Sequence, residues 1–265
     1  MTGKVLLFAS SKGGVGKSTV ALGVARALAG AGRRVMLADL DFESPCLDLL
    51  CKVEDRVLYT GADVAQGICS PKDALLRPYD DLELYLLPAV FSGNAAASPD
   101  ATGEISPLKE AVDAAAEEID ASYVLLDTGA GVSRGLETAA ALAQGAVVVA
   151  GHTPAGIRSA GYTGQRLLER GITELYLVIN PFDVEAAGEK KRRRHSMLEI
   201  IDGVGIPLLG VVPYDYALLL SQEGRGGAGP SAAAFFNIAA RLEGQDVPLF
   251  SGLPKIRKQK RTLFR

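Results

Sequence analysis

Ser11-Lys12-Gly13-Gly14-Val15-Gly16-Lys17-Ser18-Thr19, directly after the apolar run Val5-Leu6-Leu7-Phe8-Ala9, decides the fold. Closely spaced glycines let a backbone curl until successive N–H groups point inward, at the positive end of the helix that follows. A phosphate chain fits such a cradle, and side chains at Gly13, Gly14 or Gly16 would block it, whereas Val15 contributes backbone. Lys17 can reach the β- and γ-phosphates of a nucleoside triphosphate, and the Ser18 hydroxyl, with Thr19 beside it, is placed to ligate Mg²⁺. Ser11 stands where the usual signature has Gly.

Outward from this loop, strand-like runs alternate with helical patterns. The apolar runs are Val5 to Ala9, Val35 to Leu40, Leu82 to Leu87, Tyr123 to Leu126, Ala146 to Ala150, Leu175 to Ile179 and Leu208 to Val212. Helical patterns occupy Lys17 to Ala29, Ser106 to Glu118, Gly135 to Gln144, Gly156 to Arg170, Arg194 to Ile201 and Ala232 to Leu242. The alternation predicts an α/β fold, a doubly wound and mostly parallel sheet covered on both faces. Ser92 to Gly103, rich in Gly, Ala, Ser, Pro and Asp, reads as a surface loop.

Length and composition are those of one soluble domain. The 265 residues are 48% hydrophobic, enough for a sizeable core, and no apolar run reaches spanning length. The N-terminus reads straight into the phosphate loop without a signal segment, so the expected compartment is cytoplasmic. Cys46, Cys51 and Cys69 are an odd number without metal-ligand spacing and read as reduced packing residues. His152 and His195 are far from any cysteine in sequence and read as surface or loop residues.

Ligands of doubly wound sheets sit beyond the carboxyl ends of the strands, which gives weight to the residues there. Asp39-Leu40-Asp41-Phe42-Glu43-Ser44-Pro45 follows the second run. Tyr123-Val124-Leu125-Leu126-Asp127-Thr128-Gly129-Ala130-Gly131 is an apolar strand ending in a carboxylate, which suits holding Mg²⁺ directly or through water. The sixth run ends in Asn180-Pro181-Phe182-Asp183, and the seventh in Gly210-Val211-Val212-Pro213.

The pair Lys12 and Lys17 around two glycines resembles the deviant phosphate loop of the MinD/ParA ATPases, of the SIMIBI type of P-loop NTPase. The resemblance runs from Lys4 to about Leu242, with its motifs in family order, and within the family is greatest to MinD-like members. It implies ATP and Mg²⁺ as cofactors and slow hydrolysis by a homodimer that sandwiches two nucleotides. Lys12 would cross to the partner's nucleotide, Asp39 and Asp41 would form switch I, and Asp41 would orient the attacking water. Asp127 would join Ser18 and Asp39 around the metal, with Gly129 and Gly131 as switch II. Asn180 and Pro213 would border the base. Asn180-x-x-Asp183 is also similar to a guanine-reading element, but Pro181 replaces its lysine, which favours adenine. The stretch Asp63 to Pro88 is similar to the region after switch I in MinD-like proteins. Thr153-Pro154-Ala155 and Ser44-Pro45-Cys46 depart from that pattern.

Other functions fit less well. An iron–sulfur carrier of this superfamily would bring a late Cys-x-x-Cys pair, and a cobyrinate-type synthase would need a glutaminase domain. DNA partition, as in ParA, would use a basic run such as Lys190 to Arg194, but a solvated charged helix start is the commoner explanation of such a run, and no separate DNA-reading motif accompanies it. Residues 1–245 read as the ATPase domain and 246–265 as a basic tail, with Lys255 to Arg265 a candidate anchor on anionic membrane. The expected activity is a spatial switch for the division septum or a related placement, driven by an unidentified ATPase-activating protein.

Overall fold

The computed structural model describes residues 3–10, 12–89, 106–131, 134–182, 197–216, 218 and 229–249. The first half carries β1 (Lys4–Ala9), α1 (Lys17–Gly30), β2 (Val35–Leu40), α2 (Leu47–Cys51), a 3-10 turn (Glu54–Arg56), α3 (Gly61–Ala65), α4 (Pro71–Ala74) and β3 (Leu84–Leu87). Then follow α5 (Ser106–Glu118), β4 (Tyr123–Thr128), α6 (Arg134–Leu142), β5 (Gly145–Ala150), α7 (Pro154–Glu169), β6 (Glu174–Phe182), α8 (Met197–Val204), β7 (Leu208–Pro213) and α9 (Pro230–Leu242).

The seven strands form one sheet in the order β3-β2-β4-β1-β5-β6-β7, with every pairing parallel. All seven apolar runs read from the sequence are strands. Their continuity follows from burial on both faces: along β1, Val5, Leu7 and Ala9 pack toward α5 to α8, and Leu6 and Phe8 toward α1 and α9. The edge strand β3 is shielded by Leu76, which exchanges two backbone hydrogen bonds with Leu86 at 2.9 and 2.7 Å.

Helix α1 buries Val20, Ala21, Val24, Ala25 and Leu28. Gly23 lets it approach α9, since a Cβ there would collide with the Phe235 ring. It ends in a Schellman turn: Gly32, at φ 82°, donates to the Ala29 carbonyl and Arg33 to that of Leu28.

The connection between β2 and β3 differs from the sequence reading, which placed no helix there. Its short helices are fixed by local caps. Thr60 and Asp63 form a reciprocal capping box on α3, and Ser70 and Asp73 do the same on α4, where Pro71 takes the first position. Strands β4 and β6 also run farther than their apolar stretches, because Asp127, Thr128 and Asn180 stay in the sheet and are buried there. The Ser92 to Gly103 loop, the basic run Lys190 to Arg194, Ser11, Asp183, His195 and the tail from 250 onward lie outside the described residues. No described helix is long and apolar enough to cross a membrane.

Chain order reverses around β1, which pairs with β4 on one side and β5 on the other. A crevice beyond the carboxyl end of β1 is where such a sheet takes its ligand.

Candidate nucleotide-binding site

The phosphate loop fills that crevice. Buried Ser10 anchors its start: the hydroxyl donates to the Lys12 carbonyl at 3.1 Å, and the Ser10 carbonyl accepts from Gly131 N–H at 2.9 Å. Gly14 and Gly16 sit at φ 75° and 78°, conformations that side chains rarely adopt. Gly16 is the N-cap of α1, so that helix begins without a side-chain cap and with no acid in its first turn. Nothing stands within 4 Å of where a Cβ on Gly13 or Gly14 would be. An uncapped helix N-terminus facing open space, bordered by small residues, is the arrangement that accepts an anion.

The charges lie just inside. Lys17 Nζ is 2.5 Å from Asp127 Oδ1, with the lysine 7% exposed and the carboxylate fully buried. Lys17 Nζ also lies 3.4 Å from the Ser18 hydroxyl. The other Asp127 oxygen, Oδ2, is buried without a hydrogen-bond partner. Burial raises the Asp127 pKa, and the neighbouring Lys17 and Ser18 pull against that rise. An orphaned carboxylate oxygen beside a serine hydroxyl is a hard-oxygen donor set that fits Mg²⁺. Among the described residues there is no group of three or more His, Cys, Asp or Glu able to hold a metal.

The chain after β2 wraps around Asp39, which pairs in register with Asp127 across β2 and β4. Its Oδ1 accepts from Asp41 N–H at 2.9 Å, and its Oδ2 from the N–H groups of Cys46 and Leu47, both at 3.1 Å. Asp39 therefore caps α2 and sets the turn, and its oxygens are engaged before any metal arrives. Burial, with the Asp127 charge adding, pushes its pKa up to about 7 despite these three donors. Asp41 is half-buried and accepts from Ser44 N–H at 3.1 Å. Gly129 is buried, and Gly131, at φ 83°, is tied to Ser10 as described, which joins switch II to the phosphate loop. Thr128, which the sequence did not single out, secures the same junction through a 3.0 Å bond from its hydroxyl to the Phe8 carbonyl. Its position one residue past Asp127, the carboxylate that ends the apolar run, was the available signal.

At the opposite wall, Asn180 is buried, and its amide nitrogen donates to the Val15 carbonyl at 2.7 Å. Phe182 pairs with buried Pro213, and Tyr214 N–H donates to the Phe182 carbonyl at 2.9 Å. Asn180 and Pro213 thus lie on neighbouring strand ends, with Asn180 bonded to the loop. His152, on the next strand end, has Nδ1 3.3 Å from the Pro181 carbonyl. Lys12 is exposed. The three cysteines are free thiols; burial pushes Cys51 up to about 12 and also raises Cys46, whose neighbours include Ser18.

Fold and site together define a P-loop nucleotide-binding protein. Residues 6–225 match the CobQ/CobB/MinD/ParA nucleotide-binding domain. The chain belongs to this family, the MinD/ParA P-loop ATPases. It is 32% identical over 254 residues to the septum site-determining protein MinD of Synechocystis, covering 92% of this chain and 91% of the relative. To MinD of Bacillus subtilis it is 33% identical over 264 residues, covering 93% and 91%. A chain of the MinC:MinD cell division complex of Aquifex aeolicus superposes with a TM-score of 0.80 at 26% identity, covering 93% of this chain and 98% of that one.

Proposed function

We propose that this protein is a MinD-like positional switch: an ATPase that dimerises with ATP, hydrolyses it slowly, and is reset by an activating partner. In this reading, residues 1–245 are the switch and 246–265 a tail that meets anionic membrane. The observation that carries it is the uncapped α1 N-terminus, with the buried Lys17–Asp127 pair beside it and Lys12 exposed on the loop that leads into it. Relatives named for septum site determination, similar over nearly the whole chain, favour placement of the division site as the output.

Each residue then has a task. The backbone of Gly13, Gly14, Val15, Gly16, Lys17, Ser18 and Thr19 receives the phosphates, and the Lys17 ammonium neutralises the β- and γ-groups. Ser18 and Asp127 hold Mg²⁺, with Asp39 ordering the surrounding turn. Mg²⁺ held there would supply neutralisation of charge on the transferring phosphoryl group. Asp41 accepts a hydrogen bond from the attacking water and fixes its direction, which converts a weak nucleophile into an aligned one. Lys12 reaches the phosphates of the second subunit. Gly129 and Gly131 allow the backbone to follow the γ-phosphate, and Asn180 with Pro213 borders adenine.

Light scattering of the full chain with ADP, and of Asp41→Ala with ATP, tests this reading. Monomer with ADP and dimer with ATP is expected. A monomer in both conditions rejects the sandwich.

A further inference from the structure

We infer that Asp127 is a latch for Lys17: it holds the phosphate-binding lysine inside the protein until a divalent cation takes the lysine's place on the carboxylate. The inference rests on the proposed nucleotide function and adds a coupling between metal and nucleotide that follows from the positions of these two side chains.

The 2.5 Å ion pair is formed by the two groups on which both ligands depend. Lys17 is 7% exposed and Asp127 fully buried, so neither charge has solvent as an alternative partner. Removing a cation from a buried carboxylate leaves an uncompensated charge, which is strongly unfavourable. The setting makes this harsher, because Asp39 stands in register beside Asp127 on the neighbouring strand and Oδ2 of Asp127 already lacks a partner. Lys17 cannot turn to a phosphate without stranding that carboxylate. A divalent cation at Asp127 and Ser18 removes the obstacle by compensating the carboxylate in the lysine's place. Metal and nucleotide then favour each other's binding, and this coupling is reciprocal by linkage.

Two measurements on the full chain test the latch. In the first, a fluorescent ADP analogue is titrated in EDTA and in excess Mg²⁺. Asp127→Asn frees Lys17, so its affinity in EDTA should rise about tenfold over wild type, within the usual range of coupling between sites, and the gain from Mg²⁺ should shrink. Unchanged or weaker affinity in EDTA overturns the latch. In the second, thermal unfolding without nucleotide follows a double-mutant cycle. Lys17→Met should lower the melting temperature, and Asp127→Asn should restore most of the loss in the double variant. Additive effects would show that the pair is not coupled, and that relief of carboxylate repulsion alone explained any gain in EDTA. Asp127→Ser replaces the amide if Asp127→Asn does not fold. Wild type that binds nucleotide in neither buffer would remove the proposed function itself, whereas normal wild-type binding with an unresponsive Asp127→Asn removes only the latch.

Discussion

Asn180 Nδ2 donates to the Val15 carbonyl at 2.7 Å across 165 positions of sequence, and so joins the end of β6 to the centre of the phosphate loop. The bond fixes the distance between the end of β6 and the glycine-rich loop. It also explains why Gly16 lacks a side chain: a Cβ there would overlap the Asn180 amide nitrogen, and φ is 78°. Gly16→Ala should therefore lose stability by more than the ~1–2 kcal/mol of a left-handed non-glycine residue, because the clash adds to it. Thermal unfolding and nucleotide titration should fall together. A stable Gly16→Ala that fails only to bind nucleotide would show that the loop relaxes without Asn180.

The buried carboxylate at Asp39 gives the nucleotide-free protein a pH dependence of definite sign. Its pKa is about 7 in the fold against an ordinary value near 3.8, so between these limits the folded state binds more protons than the unfolded one. Stability from this group is greatest at acid pH, declines as pH rises from about 4 to 7, and is level above that, for a total of a few kcal/mol. Asp39→Asn should flatten the wild-type curve in this window. Urea unfolding at pH 5, 6, 7 and 8 compares the two, and parallel curves would refute the assignment.

The two loop lysines should separate by phenotype. Lys17→Ala removes a charged contact to phosphate worth ~1.5–3 kcal/mol, so nucleotide affinity should fall about tenfold to a hundredfold. Lys12 is exposed in the single chain and should matter little for affinity. A cation supplied across an interface accelerates phosphoryl transfer by about a thousandfold or more, so Lys12→Ala should abolish measurable turnover and dimer formation. Phosphate release and light scattering decide the case, and normal turnover in Lys12→Ala would remove its role.

Much of this was legible in the sequence because a parallel sheet buried on both faces writes each strand as an unbroken apolar run, as Leu6 to Ala9 and Val147 to Val149 illustrate. The phosphate loop was legible for the opposite reason: its glycines meet a backbone requirement that no other residue satisfies cheaply. Strand ends were less clear. The apolar runs stop at Leu126 and Ile179, yet burial in the site keeps the polar Asp127, Thr128 and Asn180 in the sheet beyond them. Helices α2 to α4 are each under two turns, too short for a 3.6-residue pattern, and only the Thr60/Asp63 and Ser70/Asp73 spacings marked α3 and α4. That Asp39 would spend its carboxylate on three backbone N–H groups depends on the path of switch I, which no local pattern encodes.

Adenine should be preferred over guanine. Pro181 stands where a guanine-reading element carries a lysine whose stem packs on the base. Competition of GTP against a bound ATP analogue measures the preference directly. Equal affinities would leave Asn180 with only its structural bond to Val15.

The tail should bind anionic membrane, and should do so better when the ATP-bound dimer presents two copies. Residues 255–265 hold Lys255, Arg257, Lys258, Lys260, Arg261 and Arg265 with no acid, while the remaining residues carry 22 basic and 31 acidic side chains, a net charge of −9. Charge so segregated would serve as an electrostatic address, and in a helix begun after Pro254, at ~100° per residue, Ile256, Leu263 and Phe264 would share one face, on which Arg257 and Lys260 would also fall. Each basic residue near an anionic leaflet contributes on the order of 1 kcal/mol, so one tail binds weakly and reversibly whereas two linked tails gain by effective concentration. Sedimentation with phosphatidylserine-containing liposomes, with ATP or ADP and at two salt concentrations, should show ATP-dependent and salt-sensitive binding by the full chain. A version ending at Gly252 should stay in the supernatant. If it sediments as the full chain does, the anchor is elsewhere, and the basic run at 190–194 becomes the surface to test next, against liposomes and DNA in parallel.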